Sequence, residues 1–278
     1  RVRADLSADP SAAGVEVVHF HELCHRLGRE AGVDLLAEGA AMVPDDYFLT
    51  QLPAALSEAA TRLGPRYDAI VVDEGQDFQD VWWLSLLELL EDPEHGVLYI
   101  FFDEYQDLYR RERAWPIVDP PYQLTTNCRN TRTIHREVVA ACDGSIPITC
   151  EGPEGRTVER IEVASGAAEL NEVRKVLHRL IHDEEVDPRD VVVLTPRRQA
   201  RSAFTDDLSL GNLRLTWSPD PAHNQVQVST IHSFKGLERP VVILAELAHA
   251  HPAQARVLLY VARSRATSHL VELHQVLA

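Results

Sequence analysis

Lysine is almost absent from this chain of 278 residues, which contains only Lys175 and Lys235. Acidic side chains outnumber basic ones by 43 to 27, so the formal net charge at pH 7 is −16. Proteins that coat nucleic acid without sequence preference are usually basic, because they neutralise phosphates. The charge balance therefore argues against a protein that coats nucleic acid, and any contact with nucleic acid must be local or must use residues outside this sequence.

Long apolar runs are also missing, since no stretch reaches the ~18 to 20 residues of a membrane span. The chain does not begin with a basic segment followed by an apolar one, as a secretory leader does. The four cysteines, Cys24, Cys128, Cys142 and Cys150, show no paired spacing. This usage argues against a disulfide framework and favours a reducing compartment. We therefore expect a cytoplasmic protein with no membrane partner.

Short apolar, β-branched runs alternate with segments of helical periodicity. The predicted strands are Val15–Phe20, Ala69–Val72, Val97–Phe102, Val191–Leu194, Val226–Ser229 and Val241–Ala245. The predicted helices are Glu22–Ala31, Gln79–Leu90, Thr131–Ala141, Ala167–His182 and Arg197–Leu208. Because strands that alternate with helices form parallel sheets, the sequence predicts an α/β protein.

A proline-rich segment separates two parts of the chain. Pro116, Pro120 and Pro121 precede the helix that is predicted from Thr131. Proline clusters interrupt regular structure and mark connections. We therefore expect an N-terminal lobe over residues 1–124 and a C-terminal lobe over residues 125–278.

The stretch YDAIVVDEGQDFQD, residues 67–80, places Asp73 and Glu74 directly after a predicted strand. Carboxylates at this end of a parallel strand face the crevice where α/β proteins bind ligands. Two adjacent acids suit nucleotide hydrolysis, because one can hold Mg²⁺ and the next can polarise the attacking water. The alternative is an ordinary helix start, where acids interact favourably with the helix dipole. This motif on its own leaves both interpretations open.

Further motifs surround this acidic one. In chain order the set reads HFHELCHRL (19–27), DEGQDF (73–78), FFDEYQ (101–106), LTTNCRN (124–130), STIHSFKGLE (229–238) and VARSRA (261–266). In this order and spacing the set resembles the superfamily 1 helicases of the UvrD/Rep type. The resemblance covers nearly the whole chain, from His19 to about Leu273.

The resemblance implies two RecA-like lobes of the P-loop NTPase fold, of which the first is incomplete, with ATP in the cleft between them. Asp73 would then organise Mg²⁺, and Glu74 would activate the attacking water. Gln76 and Gln106 would sense the γ-phosphate or the closure of the cleft.

The resemblance assigns further roles to the second lobe. Arg129 and Arg265 would reach the γ-phosphate, for which a planar, permanently charged guanidinium is well suited. Gly236 would allow the backbone to approach a phosphate, and Glu238 would accept a hydrogen bond from the ribose. Arg263 departs from the family pattern, and its role stays open.

The residues expected to face nucleic acid are His21, Thr230 and His232. The resemblance favours single-stranded DNA as the partner and leaves RNA open. Polar residues at such turns also cap helices and bond to the backbone, which is the alternative interpretation.

One family motif is missing, since no G-x-x-x-x-G-K-S/T phosphate-binding loop occurs in the sequence. The chain begins with Arg1, and its single methionine is Met42. We therefore expect that the chain is a fragment of a longer protein and is inactive alone. The upstream part would carry that loop, and the presence of a fused domain there stays open. The predicted function is an ATP-dependent DNA helicase or translocase. The alternative is a non-catalytic helicase-like module that binds nucleic acid or a protein partner.

Overall fold

A computed structural model of the protein describes residues 9–37, 42–92, 94–106, 114–141 and 148–276, and Cys142 lies outside them. The chain divides into unit 1, Arg1–Asp103 with Arg111–Pro120, and unit 2, Glu104–Arg110 with Pro121–Ala278. The division into lobes at residue 124 stays a prediction. Within the described ranges, no helix is both long enough and apolar enough to cross a membrane.

Unit 1 combines a small parallel sheet with helices. Its strands are β1 (Ala69–Val72) and β2 (Val97–Ile100), and its helices are α1 (Phe20–Glu30), α2 (Leu52–Leu63) and α3 (Asp80–Leu87). Ile70 and Val72 of β1 point into a core that is shared with the helices. The other face exposes Val71 and Tyr99. The sheet therefore buries one face, and β1 ends where the acidic motif begins.

Unit 2 is built on a sheet of seven strands in the order β5-β11-β10-β6-β9-β8-β7. These strands are β5 (Glu159–Val163), β6 (Val191–Thr195), β7 (Ser209–Leu210), β8 (Leu213–Thr216), β9 (Gln225–Thr230), β10 (Arg239–Leu244) and β11 (Ala266–Gln275). All neighbours are parallel except β7 and β8. A separate pair, β3 (Thr126–Asn127) and β4 (Thr149–Cys150), is also parallel.

The helices of unit 2 cover both faces of the large sheet. They are α4 (Arg132–Ala140), α5 (Gly166–His178) and α6 (Ala255–Arg263). Val191 and Val193 of β6 pack on the side of α5. Val192 and Leu194 pack on the side of α4 and α6. A strand buried on both faces requires a continuous apolar run, which explains the sequence VVVL.

The predicted α/β class with parallel sheets is confirmed, but two predicted elements are wrong. Val15–Phe20 is not a strand, because α1 already begins at Phe20 and the preceding residues pair with no strand among those described. Arg197–Leu208 contains only the short 3₁₀ turn Gln199–Arg201. There, the Ala203 N–H donates to the buried carboxylate of Glu246 instead of to a helical carbonyl oxygen, and the Ser202 hydroxyl donates to the same carboxylate.

Candidate functional site

The acidic motif of unit 1 forms a tight turn at the end of β1. Asp73 is exposed, and its Oδ1 accepts the Glu74 N–H at 2.9 Å. Glu74 lies in the left-handed region, with φ of +54°. Non-glycine residues rarely adopt this conformation, and such strain concentrates at functional sites. The turn therefore holds two carboxylates in a defined position at the edge of the sheet.

Gln76 ties this turn to the segment that follows β2. The side chain is almost fully buried. Its Nε2 donates to the Glu74 carboxylate, and its Oε1 accepts the Asp103 N–H at 3.0 Å. Gln76 thus links the Glu74 carboxylate to the segment that follows β2.

The exposed carboxylate in the acidic turn is one ligand that a magnesium ion could use. Among the described residues, no three or more His, Cys, Asp or Glu side chains are grouped so that they could hold a metal. Mg²⁺ commonly uses only one or two carboxylates, with water and substrate phosphates as its other ligands. The exposed carboxylate of Asp73 is compatible with that mode.

His21, which was predicted to face nucleic acid, takes part in the packing of unit 1. Its Nε2 lies 3.0 Å from the Phe48 carbonyl oxygen. Its ring contacts Phe48 and Trp82 edge-on, at centroid distances of 5.4 and 4.9 Å. Burial, and then the charges of His25 and His19, lower the pKa of His21 despite the bond to Phe48. A neutral, packed imidazole explains this residue structurally, and its contact with nucleic acid stays a prediction.

Unit 2 presents a compact turn between β9 and β10. Thr230 closes it, because its Oγ1 accepts the Ser233 N–H at 2.9 Å and bonds the Ser233 hydroxyl at 2.8 Å. Gly236 has φ of +77°, which L side chains rarely adopt. The turn therefore needs a glycine at this position, whether or not a phosphate approaches it.

Arg129 and Glu238, both predicted to bind nucleotide, are brought together in unit 2. The Arg129 Nε lies 3.0 Å from Glu238 Oε2, and the two side chains are 47% and 41% exposed. The backbone N–H of Arg129 donates to Asn127 Oδ1 at 2.9 Å. The guanidinium of Arg129 and the carboxylate of Glu238 are thus adjacent, and both are accessible to solvent.

Arg265 is 1% exposed. Its guanidinium donates to the carbonyl oxygens of Val261 at 3.0 Å and Leu237 at 3.3 Å, and to the Ser264 hydroxyl at 2.8 Å. These bonds hold the guanidinium against its own unit. The assignment of Arg265 to the γ-phosphate stays a prediction.

Gln106 is likewise buried, at 6% exposure, in the 3₁₀ turn Glu104–Gln106. The ring of its neighbour Tyr105 lies 5.5 Å from that of Tyr260 on α6. This contact fixes the turn within unit 2. The sensing role of Gln106 stays a prediction.

His232 lies in the electrostatic field of two cations. Partial burial, followed by the positive charges of Arg198 and Lys235, lowers the pKa of His232. Arg198 follows β6, whose Thr195 is the register partner of Thr230 on β9. Arg198 was not among the predicted site residues. The available signal was a basic pair that only Pro196 separates from the end of a buried strand, as in VVVLTPRR.

Arg263, whose role the sequence left open, forms a buried ion pair. Its Nε and Nη2 donate to the two carboxylate oxygens of Glu272 at 2.7 and 3.1 Å. The Glu272 side chain is fully buried, and that of Arg263 is 11% exposed. Arg263 therefore stabilises the fold of unit 2.

Comparison with known proteins identifies one matching family. Residues 225–271 match the model of the UvrD-like helicase C-terminal domain, whereas no curated protein matches the chain. The solved C-terminal domain of a possible DNA helicase from Lactobacillus plantarum WCFS1 is 19% identical, with 53% of this chain and 87% of that chain covered and a TM-score of 0.39. The PRRSV helicase is 14% identical, with 80% of this chain and 45% of that chain covered and a TM-score of 0.39. The chain thus spans less than half of the latter protein.

The matched segment begins with β9 and extends into β11. It contains Thr230, His232, Gly236, Glu238 and Arg265, which are five of the predicted site residues. On this match unit 2 contains a helicase-like segment that is similar to the C-terminal domain of UvrD-like helicases.

Proposed function

We propose that the chain is the motor part of an ATP-dependent helicase or translocase that moves along single-stranded nucleic acid. DNA is the preferred partner, and ATP with Mg²⁺ is the energy source. The observation that carries the proposal is the pairing of Arg129 with Glu238 in the unit that contains the family match. These are groups suited to a phosphate and to a ribose hydroxyl.

Unit 1 supplies the carboxylates. Asp73 would hold Mg²⁺, which neutralises phosphate charge when it is bound. Glu74 would orient the attacking water and accept its proton, and its carboxylate is positioned by the bond from Gln76. A general base must be held in place, and the buried amide of Gln76 provides that support.

Unit 2 supplies the cations. Arg129 and Arg265 would compensate the charge that develops on the γ-phosphate, a contribution that reaches about 10³- to 10⁵-fold in related phosphoryl transfers. Gly236 would bring its backbone to a phosphate, and Glu238 would accept from the ribose. Gln106 would report the state of the γ-phosphate.

In this proposal the nucleic-acid contacts of unit 2 are Thr230, His232, Lys235 and the additional Arg198. His21 is the proposed contact of unit 1. Lys235 and Arg198 are the cations of this set, in a chain whose net charge is −16. So few cations agree with a short contact along one strand. The cytoplasm is proposed as the location on composition alone.

Binding of a labelled single-stranded oligonucleotide tests the nucleic-acid part. Arg198→Ala should weaken affinity about tenfold and reduce the salt dependence by about one phosphate contact. Arg214→Ala is the matched control, because this exposed arginine pairs in register with Gln225 at the opposite end of β9. Absence of salt-dependent binding, or equal losses in both variants, would contradict this part.

ATP hydrolysis stimulated by single-stranded DNA tests the motor itself, in the natural protein that contains these residues. Glu74→Gln should abolish turnover and leave nucleotide binding intact, whereas Glu91→Gln, at an exposed position of unit 1, should have no effect. The 278-residue chain alone should hydrolyse ATP negligibly, since its sequence holds no phosphate-binding loop. Nucleic-acid binding without any turnover in the natural protein would support the alternative, a non-catalytic module.

A further inference from the structure

The segment that carries Arg129 is held by the side chain of Asn127. Its Oδ1 accepts the backbone N–H groups of Arg129 at 2.9 Å and Asn130 at 3.1 Å. Its Nδ2 lies 2.8 Å from Asn130 Oδ1 and 3.1 Å from His135 Nδ1. One amide thus defines the backbone at Arg129 and orients the side chain of Asn130.

The side chain of Asn130 then reaches the segment that carries Arg265. It is 2% exposed, and its Nδ2 lies 2.5 Å from the carbonyl oxygen of Ala266 and 3.3 Å from that of Ser264. These carbonyls belong to the residues on either side of Arg265. The amide therefore spans the backbone of the buried arginine.

We propose that Asn130, oriented by Asn127, is a positioning residue that keeps the backbones of Arg129 and Arg265 at a fixed separation. The proposal rests on the proposed function for what the two arginines do. Its physical basis is that every part of one buried amide has a hydrogen-bond partner. The Nδ2 of Asn130 donates to two carbonyl oxygens, and its Oδ1 accepts from Asn127. Few other side chains present donors and an acceptor in this arrangement.

Aspartate at position 130 provides a sharp test, because it keeps the size of the side chain and removes both donors. A carboxylate oxygen would then face the Ser264 and Ala266 carbonyl oxygens. Buried acceptors that lose their donor lower the stability of the fold. Alanine removes the amide altogether. Both substitutions should release the Arg265 segment from the Arg129 segment.

Amide hydrogen exchange of the 278-residue chain measures this coupling without any nucleotide. Asn130→Ala should accelerate exchange about tenfold in a peptide over residues 261–266 and leave α5 unchanged. Asn171→Ala is the matched control, because this exposed asparagine accepts from Arg174 on its own helix. If Asn130→Ala does not fold, Asn127→Ala should give a smaller acceleration at the same peptide. Unchanged exchange at residues 261–266 in the folded variants would overturn the proposal.

Steady-state hydrolysis in the natural protein separates positioning from a general effect on folding. Asn130→Ala should lower kcat about tenfold, because misplacing a catalytic group is costly, and it should cause no further loss in an Arg265→Ala background. A general folding defect would instead multiply the two losses, and that result would refute a positioning role. Absence of turnover in every form would contradict the proposed function, while the exchange result would still decide whether Asn130 couples the two segments.

Discussion

The Nε of Arg129 lies 3.0 Å from Oε2 of Glu238, so each of these side chains neutralises the other. A nucleotide that used both groups would have to exchange this ion pair for its own contacts. Because both side chains are nearly half exposed, the pair contributes at most about 1 kcal/mol. The exchange is therefore inexpensive, and the pair can keep an accessible cation and anion in place without a ligand.

The modest strength of this pair leads to the first prediction. Glu238→Gln should change the free energy of unfolding by less than about 1 kcal/mol, as measured by urea denaturation. Glu58→Gln is a suitable control, because Glu58 forms a similarly exposed pair with Arg62. A loss above about 2 kcal/mol would show that Glu238 supports the fold. A small loss would allow any change in nucleotide affinity to be assigned to binding.

The buried pair of Arg263 and Glu272 should behave differently. Arg263→Ala leaves the Glu272 carboxylate buried and should lower the free energy of unfolding by about 3–5 kcal/mol. The control is Arg160→Ala, since Arg160 Nε approaches the same carboxylate at 3.6 Å but is 47% exposed. That change should cost less than about 1 kcal/mol. Adding Glu272→Gln should recover part of the loss of Arg263→Ala, and equal losses in the two arginine variants would contradict this account.

Glu169 predicts a dependence of stability on pH. Burial, and then the charge of Glu246, raise the pKa of Glu169, although the Glu246 N–H and His274 act in the opposite direction. Because the folded pKa lies above the unfolded one, the stability from this group is present below the unfolded pKa and is lost as pH rises through the folded pKa.

Glu169→Gln should therefore stabilise the protein more at neutral pH than in acid. Gln keeps an oxygen that can accept the Glu246 N–H, a contact of 2.6 Å in the native protein. Urea denaturation of both proteins from about pH 4 to 7 measures the difference. A constant or shrinking advantage with rising pH would show that the sign is wrong.

Gly75, in the acidic turn, should not tolerate a side chain. A Cβ there would lie 2.5 Å from Cγ2 of Ile100 and 3.4 Å from both the Phe101 carbonyl oxygen and Trp115. Gly75→Ala should therefore cost about 1–3 kcal/mol of unfolding free energy. Gly166→Ala is the control, because a Cβ at this first residue of α5 meets nothing within 4 Å, and it should be neutral or slightly stabilising. Thermal denaturation compares the two variants, and similar losses would contradict the packing argument.

Several features followed from local sequence alone. The run VVVL at residues 191–194 predicts a strand that is buried on both faces, and β6 has that property. Thr131, placed at the start of a predicted helix, caps α4 by accepting the Ile134 N–H. Such signals act within a few residues, so they predict the α/β class and the approximate positions of β1, β2, β6, β9 and β10.

Other elements depended on distant partners. Val15–Phe20 has the composition of a strand, but Val18 and Phe20 pack on the core of unit 1 instead of joining a sheet. Arg197–Leu208 has helical periodicity, but Glu246 accepts the Ala203 N–H, which a longer helix would need, and also the Ser202 hydroxyl. Tertiary contacts outweighed local preference in both cases.

The candidate site divides in the same way. Sequence by itself determined that Asp73 and Glu74 follow a strand and that Thr230 begins a turn. Only the tertiary structure decided that Arg129 meets Glu238 and that Asn130 reaches carbonyls 134 and 136 positions further along the chain. These relations depend on the strand order β5-β11-β10-β6-β9-β8-β7. Local patterns do not encode that order, because it arises from the packing of the whole unit.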